Sequence, residues 1–197
     1  FCDLTADDIF KSIETMKQKI DECNIFVLSG GFSAGDEPDG SGKFIANVLN
    51  NKIITDAIHA LLDRGGLILG ICNGFQALIK LGLVPYGEIV DTDINSPTLT
   101  FNRIGRHQSR YVTTRIASVN SPWLAEVEVG DLHNIPISHG EGRFVCSDEL
   151  LAKLKRDGFR LFVATAKPER IAQIMLKHYG LDTYFECICG ALENKTR

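Results

Sequence analysis

The segment Leu67-Ile68-Leu69-Gly70-Ile71-Cys72-Asn73-Gly74-Phe75-Gln76 restricts the possible folds of this chain more than any other. Apolar, strand-like residues run into a cysteine that has glycine two positions to either side. An amphipathic stretch, Phe75 to Lys80, follows at once. A strand that turns this abruptly into a helix crowds its own backbone, and only glycine tolerates the crowding beside the turn. The pattern is the cysteine version of a nucleophile elbow, with the thiol presented at the carboxyl end of a sheet. A helix start beside it favours the thiolate, the form that attacks carbonyl carbon. Taken alone, the same letters fit a buried core cysteine equally well.

The surrounding order supplies the class. Thr5 reads as a helix N-cap with Asp8 in the capping-box position, and Ile9, Ile13, Met16 and Ile20 recur at helical spacing. Asn24 to Ser29 is a short buried strand closed by Gly30-Gly31. The turn-rich stretch from Phe32 to Gly42 is a long loop over the carboxyl edge of the sheet. Ile45, Val48 and Leu49 mark a short helix, and Thr55 to Asp63 a second, closed by Arg64-Gly65-Gly66. This alternation reads as α/β, with a mainly parallel sheet covered on both faces.

Further on, Thr98 to Phe101 and Tyr111 to Ile116 are β-rich and flank the polar segment Arg103 to Arg110. Ile135 to Ser138 is a strand that ends in His139-Gly140-Glu141-Gly142-Arg143-Phe144. Ser147 caps a charged helix from Asp148 to Asp157. Arg160 to Thr165 reads as a strand, Pro168 as the first position of a helix carrying Ile171, Ile174, Met175 and His178, and Tyr184 to Ile188 as another strand.

Composition excludes several function classes. A net charge of −4 without a basic run gives no electrostatic reason to bind nucleic acid or a membrane surface. No apolar run approaches the roughly 18 residues of a membrane span, and the first residues lack a signal pattern. Six cysteines with no Cys-x-x-Cys pair suit neither a zinc site nor a disulfide framework. Reduced thiols in a cytoplasmic protein are the simplest reading, with no metal expected.

A thiolate that attacks a carboxamide needs amide N–H groups aimed at the oxyanion, a base that moves protons, and a pocket for the substrate's polar ends. Gly30-Gly31-Phe32 follows a strand and can bring its backbone close to a ligand, and the Asn73 N–H directly follows the nucleophile. The loop from His139 to Arg143 also follows a strand, and its two glycines expose backbone. Each loop alone fits an ordinary turn; three at strand ends converge on one chemistry. Asn24–Ser29, Leu67–Ile71 and Ile135–Ser138 are expected to end at one edge of a common sheet that brings Gly31, Cys72 and Gly140 together.

Leu28-Ser29-Gly30-Gly31-Phe32-Ser33-Ala34-Gly35-Asp36, Gly70-Ile71-Cys72-Asn73-Gly74-Phe75-Gln76 and Ser138-His139-Gly140-Glu141-Gly142-Arg143-Phe144 resemble, in order and spacing, the class I glutamine amidotransferase domain of phosphoribosylformylglycinamidine synthases. Phe101-Asn102 and the polar stretch after it match as well. The resemblance covers residues 1–158 and implies a flavodoxin-like three-layer sandwich. Cys72 would attack the side-chain amide of glutamine, with Gly31, Phe32 and Asn73 around the oxyanion. Gly30, Gln76, Ser138, His139, Gly140, Glu141 and Gly142 would bind substrate. The ammonia released would pass to a partner synthetase domain or subunit, and ATP and Mg would be needed only there.

The chain departs from that family in two places. The family domain normally begins with a strand and a glycine–asparagine loop, whereas this sequence opens almost at the first helix. Near the C-terminus the family carries a His-Pro-Glu-Arg-like motif that supplies its catalytic His and Glu; here Lys167-Pro168-Glu169-Arg170 stands instead. A lysine does not replace an imidazole poised near neutral pH.

Residues 159–197 resemble another family. Leu161 to Arg170, His178 to Phe185 and Ile188-Cys189-Gly190-Ala191 are similar to the middle of haloacid-dehalogenase-type phosphatases of the phosphoglycolate phosphatase kind, with Thr165 as the phosphate-binding hydroxyl. Such a phosphatase needs an Asp-x-Asp pair after a strand. Asp91-Thr92-Asp93 has the letters without the strand and reads as a solvated loop. The expectation is an amidotransferase-like domain over 1–158, incomplete at both ends, joined to an α/β segment over 159–197. The alternatives are a glutamine- or partner-binding domain impaired in catalysis, and a phosphatase-like hydrolase.

Overall fold

The structure, a computed structural model, describes residues 5–31, 42–157 and 162–191. In chain order the elements are α1 (Ala6–Glu22), β1 (Ile25–Leu28), α2 (Lys43–Leu49), α3 (Lys52–Asp63), β2 (Leu67–Gly70), α4 (Asn73–Lys80), the single turn α5 (Leu83–Tyr86) and β3 (Thr98–Thr100). After these come β4 (Gln108–Arg115), β5 (Leu132–His139), β6 (Arg143–Val145), α6 (Asp148–Arg156), β7 (Phe162–Pro168), α7 (Glu169–His178) and β8 (Cys187–Ala191). They divide between two compact units. One holds the chain through Ile104 plus Glu141–Val145, and the other holds Gly105–Gly140 and the chain from Cys146 onward.

The first unit is built on the parallel pair β1–β2, in register from Ile25 opposite Leu67 to Leu28 opposite Gly70. Helix α1 starts where the sequence expects it. Thr5 accepts from the Asp8 N–H at 3.2 Å, and its hydroxyl donates to the Asp8 carboxylate at 2.6 Å. Ile20 is buried and Ile13 and Met16 pack against the core, whereas Ile9 is exposed, so the apolar face is one turn shorter than its spacing implies. The Arg64 guanidinium fixes the far end of α1 by donating to the carbonyls of Ile20 and Cys23 at 2.6 and 2.8 Å.

Helix α3 begins three residues before the expected Thr55. The Asn51 side chain accepts from the Ile53 N–H at 3.0 Å and so caps the helix early. Its inner face, Ile54, Ile58 and Leu61, is fully buried, each side chain contributing roughly 1.5–3 kcal/mol of apolar burial. His59, on the same helix, accepts the Ile89 N–H at Nε2 over 3.0 Å and serves as a structural pin for the chain after α5. An antiparallel pair, β3 with β6, completes the unit, with Thr100 opposite Arg143.

In the second unit β4 and β5 form an antiparallel ribbon from Gln108 opposite His139 to Arg115 opposite Leu132. This corrects one expectation. The strand holding Ile135 to Ser138 pairs with β4 and, among the described residues, lies in a different sheet from β1 and β2. Pro136 sits in β5 opposite Tyr111, a position open to proline because a two-stranded ribbon leaves each strand one unpaired edge.

Helix α6 is capped as expected, Ser147 accepting from the Leu150 N–H at 3.2 Å. The expected strand–helix–strand order after it is present as β7, α7 and β8, with β7 and β8 parallel. Pro168 ends the strand and Glu169 opens the helix. β8 lies three residues later than expected, because Asp182–Tyr184 form a 3-10 turn.

Candidate active site

Cys72 is the nucleophile candidate, and its backbone identifies it before its sulfur does. It adopts φ +53° and ψ −112°, the one non-glycine residue with positive φ among those described. L-residues avoid this region unless their surroundings enforce it. Here the β1–β2 pair and α4 enforce it. Ile71 N–H donates to the Leu28 carbonyl at 2.9 Å, extending the strand register to the residue before the cysteine. Immediately beyond it, Gln76 N–H donates to the Cys72 carbonyl at 3.1 Å, starting the helix.

Two glycines make the turn possible. A Cβ at Gly74 would lie 2.1 Å from the Leu28 carbonyl oxygen, so no side chain fits there. A Cβ at Gly30 would lie 2.9 Å from Cys72 Cβ and 3.7 Å from its Sγ, so bare backbone at the end of β1 abuts the exposed thiol. Gly31 follows at φ +111°. Phe32, the other expected oxyanion neighbour on that loop, lies outside the described residues. Asn73 opens α4 and is buried.

Gln76 is buried one turn into α4, and its Nε2 donates to the Glu141 carbonyl at 3.0 Å. The next residue, Gly142, donates its N–H to Asn102 Oδ1 at 3.0 Å. The Glu141-Gly142 half of the third loop is therefore tied to α4 and to the end of β3, all within the first unit. Ser138, His139 and Gly140 belong to the second unit. There the Ser138 hydroxyl and His107 Nε2 are 2.8 Å apart, and the same imidazole lies 3.9 Å from where a Gly140 Cβ would stand. Partial burial, and then the nearby His107 imidazole, hold the His139 ring below its ordinary pKa.

Two contacts escaped the sequence reading, those of Asn102 and His107. Asn102 carried a signal in the Phe101-Asn102 match, but its role depends on residue 142, forty positions away.

The phosphatase-type elements are placed differently. Asp91, Thr92 and Asp93 form an exposed loop, as the sequence suggested. Asp93 Oδ1 accepts from the Asn95 N–H at 2.8 Å and from the Ser96 hydroxyl and N–H at 3.2 and 3.0 Å, and these bonds hold its carboxyl below the usual range. The Glu169 carboxylate, in the Lys167-Pro168-Glu169-Arg170 stretch, is ion-paired to Arg115 Nη2 at 2.9 Å. Among the described residues, no cluster of His, Cys, Asp and Glu could hold a metal ion, and no helix is long and apolar enough to cross a membrane.

A cysteine on a strained turn between a parallel strand and a helix, with strand-end glycine backbone against it, marks an α/β domain organised around a strand–cysteine–helix turn. Residues 3–164 match the model of the CobB/CobQ-like glutamine amidotransferase domain, and the chain belongs to that family. A second model, of haloacid dehalogenase-like hydrolases, matches residues 143–196.

Similar curated proteins include phosphoribosylformylglycinamidine synthase subunit PurQ of Methanococcus maripaludis strain C7, 35% identical over 146 residues (72% of this chain, 50% of the relative). The subunit of the same name from Treponema denticola is 38% identical over 133 residues, 64% of this chain and 48% of the relative. Among solved structures, PurLQS from Thermotoga maritima superposes with a TM-score of 0.52 at 32% identity, covering 66% of this chain and 53% of that one. The chain thus spans about half the length of the curated relatives it matches.

Proposed function

We propose that this chain is a glutamine amidotransferase domain serving phosphoribosylformylglycinamidine synthesis in purine biosynthesis, as a cytoplasmic protein. The Cys72 thiolate attacks the side-chain carboxamide of glutamine, forming a glutamyl thioester and releasing ammonia, and water then cleaves the thioester to glutamate. The ammonia goes to a partner synthetase domain or subunit, which would also carry the ATP and Mg. The observation that carries this reading is the Cys72 turn: an exposed thiol at φ +53° with the Gly30 backbone against it. On this reading Gly31, Phe32 and Asn73 surround the oxyanion. Gly30, Gln76 and the loop from Ser138 to Gly142 receive the substrate's polar ends. Residues 1–158 form the amidotransferase-like part, and 159–197 a segment of the second α/β type.

A second reading, a domain that binds glutamine or a synthetase with little turnover, is favoured by two observations. Lys167 stands where the family motif has histidine, and Glu169 is engaged by Arg115 instead of orienting an imidazole. Loss of a general base lowers rates by about 10²–10⁴. The expected outcome is therefore a Cys72 adduct with glutamine and slow ammonia release, both absent in Cys72→Ala. Ammonia release by this chain as fast as that of an intact amidotransferase, and lost in Cys72→Ala, would overturn the second reading. An absence of any Cys72 adduct would overturn the first.

A further inference from the structure

Glu141 and Gly142 share one peptide group, and that group is held from both edges. Gln76 Nε2 donates to its carbonyl oxygen, and its N–H donates to Asn102 Oδ1, each over 3.0 Å. In a trans peptide the C=O and N–H point in opposite directions, so the two side-chain amides hold opposite edges of the plane. A half-turn of the peptide about its Cα–Cα axis breaks both bonds at once. The supports come from different elements. Gln76 lies on α4, its own N–H bonded to the Cys72 carbonyl, and Asn102 follows β3, which pairs with the β6 strand that Gly142 leads into.

We infer that Asn102 is a positioning residue. With Gln76 it fixes the orientation of the Glu141–Gly142 peptide, and so the geometry with which this loop receives the polar end of a glutamine-like substrate near Cys72. The inference rests on the amidotransferase reading and adds to it a residue that touches the loop and not the reacting atoms. A glycine-containing loop has soft backbone torsions. Two fixed hydrogen bonds remove that freedom before substrate arrives, which lowers the ordering cost of binding. Loss of the Asn102 contact should then weaken ligand capture and leave thiol chemistry unchanged.

The test uses the full 197-residue chain and 6-diazo-5-oxo-L-norleucine, an electrophilic glutamine analogue, with adduct formation on Cys72 followed by intact mass. Iodoacetamide, which has no glutamine-like end, reports the thiol alone. Asn102→Leu keeps the bulk and removes the acceptor. It should raise the half-saturating analogue concentration about three- to tenfold, the range of one neutral hydrogen bond. The limiting capture rate and the iodoacetamide rate should stay unchanged. Asn102→Asp keeps an acceptor oxygen at the same reach and should restore capture close to wild type. Gln76→Leu with Asn102→Leu should fall short of the product of the single effects, because both act on one peptide.

If Asn102→Leu does not fold, Asn102→Ser, too short to make the contact, should show the same weakening. Unchanged half-saturation in the Leu or Ser variant overturns the inference, as does an equal fall in limiting capture and iodoacetamide rates. Wild-type chain that reacts with iodoacetamide but shows no saturable capture overturns the amidotransferase reading itself, and the Asn102 role with it.

Discussion

The two compact units differ most in what they bury. Of the described hydrophobic side chains that are buried, all but Leu154 and Ala172 lie in the unit that carries Cys72. In the other unit the β4–β5 ribbon leaves Tyr111 76% and Leu132 54% exposed. The strained turn therefore sits on the unit that holds most of the buried apolar side chains among the described residues. Positive φ at a β-substituted residue persists only where its surroundings over-determine it, and the buried faces of α3 and α4 supply that constraint. The ribbon has its own ladder hydrogen bonds, and Arg115 at its end pairs with Glu169.

The largest expected effect sharpens this contrast. Ile58→Ala, at a fully buried position, should destabilise the first unit by about 2–5 kcal/mol. Leu132→Ala, at the exposed end of the ribbon, should stay within about 0.5 kcal/mol. Chemical denaturation of both variants measures the difference; equal losses would show that the ribbon is buried in solution.

A smaller effect concerns the thiols. Burial, and then the Asp148 carboxylate, push the Cys146 thiol above its ordinary pKa, so it stays protonated at neutral pH. Exposed Cys72 should be alkylated by iodoacetamide at pH 7 faster than Cys146, whose raised pKa leaves less of it as thiolate. Peptide mapping after brief labelling decides it. Faster reaction at Cys146 would remove the case for an activated elbow.

The smallest effect is electrostatic. His139 has a lowered pKa when folded, so it is neutral at pH 7. Its contribution to stability is present above the unfolded value of about 6.5 and is lost as pH falls through the folded value. A proton NMR titration should place its midpoint below that of an ordinary histidine. His107→Ala should raise that midpoint only in part, because burial is the larger cause. A midpoint at or above the ordinary value would mean that the ring is solvated.

What the sequence made legible was local. The Thr5 cap, the glycines around Cys72 and the Ser147 cap are each signals spanning a few residues, and all three lie where expected. The start of α3 was obscured because Ile53, Ile54 and Thr55 are β-branched and weaken a helix reading, while Asn51 supplies the cap that overrides it. The sheet to which Ile135–Ser138 belongs could not be read from its own residues. Pairing with β4 depends on partners more than twenty positions earlier, and a run of alternating residues does not name its neighbour. The contact of Asn102 with Gly142 is hidden for the same reason: it exists only once β3 and β6 have paired.

That pairing also determines when the first unit can be finished. Thr100 pairs with Arg143, and the chain between them, from Gly105 to Gly140, belongs to the other unit. On a ribosome adding about 5–20 residues per second, β3 emerges seconds before the strand that completes it. The elbow and its helix can form early, but the loop held by Gln76 and Asn102 cannot. Nor does any single cut of the backbone release the first unit whole. The unit that carries Cys72 is assembled from two stretches of chain, the second arriving only after the whole ribbon has been made.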